Sequence, residues 1–138
     1  MINLFINPYT ATHPARQAEL DNVARRNRAS KLFGGICHVR SPYAEIRPTF
    51  ADFFAATAVT DPDDINVIAN ADIFFDRTLL RVLRIPAGRW CLALSRWEWN
   101  GQMMGAKPWR GQDAWIFRGP VTGITGADFG MGIPGCDN

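Results

Sequence analysis

The chain has 138 residues, 47% hydrophobic and 20% charged, with no low-complexity tract, which suits one folded domain over 1–138 burying about two thirds of its unfolded surface and argues against native disorder. Fifteen Lys and Arg against thirteen Asp and Glu leave a net charge of +2, too small for generic nucleic-acid binding. Thirteen of the fifteen cations are Arg, which suits bidentate contacts to phosphate or carboxylate, although a skewed genome base content gives the same excess.

Cys37, Cys91 and Cys136 are odd in number and form no C-x-x-C pair, so neither a disulfide framework nor a zinc knuckle is supported and cytoplasm is the default compartment. The opening MINLFINPYTATH has no basic leader, and no run approaches the roughly 18 apolar residues of a membrane span. A soluble protein without a membrane span is expected.

In chain order, Ile2, Leu4 and Ile6 alternate with Asn3, Phe5 and Asn7 until Pro8, predicting a first strand. Pro14 suits a first helical turn, and PARQAELDNVARRNRASKL follows with Ala15, Ala18, Leu20, Val23 and Ala24 toward one side, predicting an amphipathic helix of about four turns stopped by Gly34 and Gly35. ICHVR reads as a second strand. TFADFFAATAVT sets Phe50, Phe53 and Phe54 at i, i+3 and i+4 behind Thr49, a second helix with Thr49 as its cap.

After the polar turn DPDD, INVIANADIFF reads as a strand buried on both faces, the mark of a central parallel strand. RTLLRVLRIP reads as a short helix and WCLALSRWEW as a further strand centred on Cys91 to Leu94. From about residue 97 to 138 the chain is rich in Gly, Trp and Pro, with AWIF as its clear strand-like island. Loops at the edge of an α/β sheet are where sites are built.

Asn70 and Asp72 fall at the C-terminal end of the predicted central strand, where open α/β sheets bind ligands. Two apart on an extended segment, they would point the same way and could share a hard, oxygen-seeking cation such as Mg²⁺ or Mn²⁺. The plainer alternative is that they end the strand and cap the helix beginning near Asp76.

The ordered blocks INLFINPY, ARQAELDNVARRN, IRPTFADFFAAT, INVIANADIFFD, LALSRWE, GQDAWIFRGP and MGIPGCDN resemble a family of predicted glycosyltransferases of the nucleotide-sugar, GT-A type, along essentially the whole chain. The resemblance implies a GT-A-like, three-layer α/β sandwich with a mostly parallel central sheet. It also implies a longer chain past PGCDN, so that this one is a minimal or C-terminally truncated member. In that family a D-x-D motif ends a central strand and holds the cation that bridges the donor's diphosphate. Asn70-Ala71-Asp72 looks like that motif with Asn for its first acid, a change that weakens metal binding.

Asp72 is then the implied ligand of Mn²⁺ or Mg²⁺, and Asn70 a partner to the ribose or to a metal-bound water. Asp113 in GQDAWIF resembles the acid that takes the acceptor's proton; pinning a Gly-rich loop is its structural alternative. Arg16 and Arg47 are candidates for the donor's phosphates, or else solvated helix residues. Tyr9 suits stacking on a base, or anchoring its loop. Trp97, Glu98 and Trp115, with Trp99 and Trp109 nearby, suit a carbohydrate groove or plain packing. Asp137 stands as a late metal or acceptor ligand.

The expected function is transfer of sugar from a nucleoside diphosphate donor to a carbohydrate or other hydroxyl acceptor. The alternatives are a noncatalytic nucleotide-sugar or carbohydrate-binding module and a metal-dependent phosphoesterase using Asp72, Asp76 and Asp113. An unpaired sheet edge offers a place for self-association into a homo-oligomer. Asp128-Phe129-Gly130 spells a kinase tripeptide, but without the other kinase motifs it is chance.

Overall fold

The computed structural model describes residues 1–43, 46–95 and 112–132. In chain order it forms β1 (Ile2–Ile6), α1 (Pro14–Ala29), β2 (Gly35–His38), α2 (Phe50–Thr57), β3 (Ile65–Ala69), a 3-10 helix (Arg77–Arg84), β4 (Cys91–Ser95) and β5 (Gln112–Arg118). The strands make one five-stranded sheet in the order β2-β1-β3-β5-β4.

β2, β1 and β3 run parallel, whereas β5 is antiparallel to β3 and β4 is antiparallel to β5. β4 therefore runs in the direction of β1, β2 and β3, and the sheet of this α/β fold is mixed, with β5 its one reversed strand among the described residues. A parallel pair needs a long crossover, usually a helix, whereas antiparallel neighbours such as β4 and β5 do not. β4 is also an edge strand among the described residues, with Cys91 and Ala93 exposed.

Alternation along the strands builds two apolar faces. Ile2, Leu4, Ile6, Ile65, Val67 and Ile116 pack on one side with Leu79 and Val82 of the 3-10 helix. Phe5, Ile68 and Phe117 pack on the other with Phe50 and Phe53 of α2. All five residues of β3 are buried, as expected of a strand covered on both faces.

Helix α1 begins at Pro14 as the sequence predicts, but its buried residues are Leu20, Val23 and Asn27, while Ala15 and Ala18 are exposed. Asn27 replaces the expected alanines because its amide is satisfied at both ends: Nδ2 donates to the Ile73 carbonyl at 2.9 Å and Oδ1 accepts from the Phe75 N–H at 3.1 Å. A buried amide is stable only with such partners. The pair of bonds fastens the segment after β3 to the helix. Helix α1 ends at Ala29, before Gly34 and Gly35, and Lys31 takes the left-handed conformation after it.

Thr49 caps α2 as expected, accepting from the Asp52 N–H while Asp52 accepts from the Thr49 N–H at 2.7 Å. The tail then crosses this helix start. The Phe50 and Ala51 N–H groups donate to the Phe129 and Ala127 carbonyls at 3.1 and 2.8 Å, and Met131 N–H donates to Pro48. The open donors of a helix N-terminus are thereby occupied by backbone, and the crossing carries Gly132 back to the C-terminal ends of β1 and β3. No helix of the described residues is long and apolar enough to cross a membrane.

Candidate functional site

The C-terminal ends of β1 and β3 open into a cavity of about 250 Å³ lined by Asn7, Tyr9, Arg16, Arg47, Ala69, Asn70, Ala71, Asp72, Met131 and Gly132. Each wall has its own origin. Asn7 and Tyr9 follow β1, Arg16 lies in the first turn of α1, Arg47 precedes α2, residues 70–72 follow β3, and Met131 and Gly132 are delivered by the tail.

β3 stops at Ala69, and Asn70 to Ile73 form a turn closed by the Ile73 N–H on the Asn70 carbonyl at 3.2 Å. The expected extended run through Asp72 is corrected here, yet both Asn70 and Asp72 line the cavity. Asn70 is fixed twice by β5. Its N–H donates to the Asp113 carbonyl at 3.1 Å and its Nδ2 to Asp113 Oδ1 at 3.0 Å. Asn70 Oδ1 lies toward the tail: a β-carbon placed on Gly132 would sit 3.1 Å from it and 3.4 Å from Arg47 Nη1. Gly132 also has φ +71, a conformation glycine adopts without penalty.

Arg16 organises the opposite wall. Its Nη2 donates to Asp72 Oδ2 at 2.7 Å, its Nη1 to Glu19, and its Nε to the Tyr9 hydroxyl at 3.2 Å. Asp72 foremost, then Glu19 and Tyr9, raise the guanidinium further above its already high ordinary pKa, so Arg16 is a permanent cation. Arg47 is exposed and donates from Nη1 to the Gly132 carbonyl at 2.9 Å. The described walls of the cavity thus present two guanidinium groups, one carboxylate, two carboxamides and a phenol. A smaller cavity of about 160 Å³ adjoins it across Tyr9 and Ala71, lined in part by Gln17, Arg28 and His38.

Of the residues singled out from the sequence, Tyr9, Arg16, Arg47, Asn70 and Asp72 meet in the main cavity. Asp113 is buried at the start of β5 behind Asn70 and is not part of the lining. Trp115 packs edge-on against Phe50, with ring centroids 4.8 Å apart, in the core on the α2 side; its place is explained by packing. Trp97, Glu98, Trp99, Trp109 and Asp137 lie outside the described residues. Asp76 caps the 3-10 helix, accepting from the Thr78 N–H at 2.8 Å, and the Thr78 bonds lower its carboxyl pKa.

Sequence reasoning missed Asn7, Glu19, Met131 and Gly132. A glycine in the string GMGIPG was the only signal for the last of them. Among the described residues no three His, Cys, Asp or Glu side chains gather as a metal site. Among the described residues of the lining Asp72 is the one carboxylate, and one of its oxygens already bonds Arg16. Neither family models nor curated proteins nor solved structures match this chain.

Proposed function

We propose that the cavity binds the diphosphate of a nucleotide-sugar donor and that the domain transfers the sugar to a hydroxyl acceptor. One observation carries the reading: Arg16 and Arg47, from two different helix starts, converge with Asn70 and Asp72 at the C-terminal ends of two parallel strands. That is where α/β sheets collect phosphorylated ligands, and planar guanidinium forks match phosphate oxygens. The likeness of the ordered sequence blocks to nucleotide-sugar transferases of GT-A type supports the same choice.

In this reading Arg16 and Arg47 take the diphosphate, whose charge grows as it leaves the sugar. Tyr9, between the two cavities, offers its ring to the nucleoside. Asp113 holds the Asn70 amide in place. The proton-accepting role implied for Asp113 requires direct access to the acceptor, and a carboxyl buried behind Asn70 is better placed to position than to react.

The test is a thermal-shift screen of nucleoside diphosphates and their sugars, followed by an assay for nucleotide release from the donor that binds. A ligand at about 100 times its Kd raises stability by roughly 2.7 kcal/mol. Release that depends on an added hydroxyl acceptor supports transfer. Binding without turnover selects a noncatalytic nucleotide-sugar module instead, a reading favoured by the buried position of Asp113. Absence of any shift ends both readings.

A further inference from the structure

Resting on the reading of the cavity as a diphosphate site, we infer that its charge neutralisation comes from Arg16 and Arg47 and not from a divalent cation. The donor set is the first reason. Mg²⁺ and Mn²⁺ are held by several oxygens, normally with more than one anionic ligand or with substrate phosphates bridging from a free carboxylate. The described lining supplies one carboxylate, Asp72, and its Oδ2 already accepts from Arg16 Nη2 at 2.7 Å.

The second reason is that Arg16 is held in that place. Its Nη1 donates to Glu19 and its Nε to Tyr9, so two further partners fix the guanidinium beside Asp72. A dication bound to Asp72 would stand next to this fixed positive charge. Asn70 cannot compensate as an acid would: its amide is neutral and its orientation is set by Asp113.

The third reason is what remains on offer. Arg16 has committed three of its five N–H groups, and Arg47 is exposed on the facing wall and, among the described residues, donates to the Gly132 carbonyl. Both can donate to phosphate oxygens without losing the contacts that position them. In this arrangement Asp72 is not a ligand holder. It competes with the phosphate for Arg16, and its charge weakens anion binding.

That gives Asp72→Asn opposite signs under the two accounts. Calorimetric titration of the full chain with ADP, GDP, UDP and CDP is run in EDTA and again with Mn²⁺. The expected result is that one nucleotide binds with the same affinity in both, that Asp72→Asn binds it about threefold to tenfold tighter in EDTA, and that Arg47→Ala binds about tenfold or more weaker. Binding seen only with Mn²⁺, and lost in Asp72→Asn, overturns the inference while leaving the diphosphate site intact. No binding of any of the four nucleotides by the folded wild-type chain, in either condition, overturns the inference and the underlying reading together. Arg47→Lys keeps the charge without the fork, and partial recovery of affinity there separates charge from geometry.

Discussion

Strands β1 and β3 carry the same pattern, INLFIN and INVIAN, and pair in register with Asn3 opposite Asn66. Each strand therefore has one asparagine near its start and one just past its end, and the two ends of the sheet treat them differently. At the start, Asn66 is fully buried and donates to the Gly119 carbonyl at 2.8 Å and to Thr60 at 3.0 Å, while Asn3 donates to Asp64 at 3.1 Å. The bonds close on one another. At the far end, Asn7 and Asn70 line a cavity, and the neighbouring charges of Arg16, Arg47 and Asp72 reach partners at its walls. The same side chain in the same strands closes an internal network at one end and, in the reading proposed above, lines a ligand site at the other.

The largest effect should come from breaking the closed end. Asn66→Ala removes the hydrogen bond to the buried Gly119 carbonyl and leaves a void, at a cost of about 2–3 kcal/mol in urea unfolding, with nucleotide affinity of the folded fraction unchanged. An equal loss of affinity would erase the distinction between the ends.

A matched pair of glycines sharpens the comparison. Gly119 and Gly132 both have positive φ, +70 and +71. A β-carbon on Gly119 meets the Pro62 carbonyl oxygen at 2.7 Å, which is backbone, whereas on Gly132 it meets the side chains of Asn70 and Arg47. Gly119→Ala should cost about 2 kcal/mol or more, since the left-handed penalty of about 1–2 kcal/mol is joined by a backbone clash. Gly132→Ala should cost about 1 kcal/mol because side chains can yield, but their displacement should weaken nucleotide binding about tenfold. Chemical unfolding and calorimetry on both variants decide whether the costs divide in this way.

Asp113→Asn probes the buried neighbour of the open end. An amide oxygen can still accept from Asn70 Nδ2, so a positioning role predicts a fall in kcat of less than about tenfold, with an unchanged pH profile. A general base predicts a loss of about 10²–10⁴-fold, which would return Asp113 to the acceptor's proton.

Much of this architecture was legible in the sequence because local chemistry decides it. Pro8 ends β1, Pro14 starts α1, Thr49 caps α2, and the largely apolar run of β3, interrupted only by Asn66, marks a strand covered on both faces. The antiparallel return of β5, the burial of Asn27 and the crossing of the tail over α2 depend on partners far away in sequence, and no periodicity reports them. The same holds for the site. Asn70 and Asp72 were legible as polar residues stopping a greasy strand, but the ion pair that engages Asp72 joins residues 56 apart. Spacing suggests a ligand; only the fold shows that Arg16 already occupies it.

The smallest predicted effect concerns pH at the closed end. Asp64 Oδ1 accepts from the N-terminal ammonium of Met1 at 2.7 Å, and this bond, supported by Asn3, lowers the carboxyl pKa below its ordinary value. With a depressed folded-state pKa, the contribution is present above the unfolded value of about 3.9 and is lost as pH falls through the folded one. Met1 is 61% exposed, so solvent screening holds the pair to about 1 kcal/mol or less. Asp64→Asn should therefore lower stability slightly at pH 7 and flatten the decline below about pH 4. Arg16 cannot contribute to such a decline, because its raised pKa keeps it charged across the accessible range. Urea midpoints at pH 7, 5 and 3 for wild type and Asp64→Asn test the sign: a gap that narrows with acid ties this part of the acid sensitivity to the closed end, and a gap that widens contradicts it.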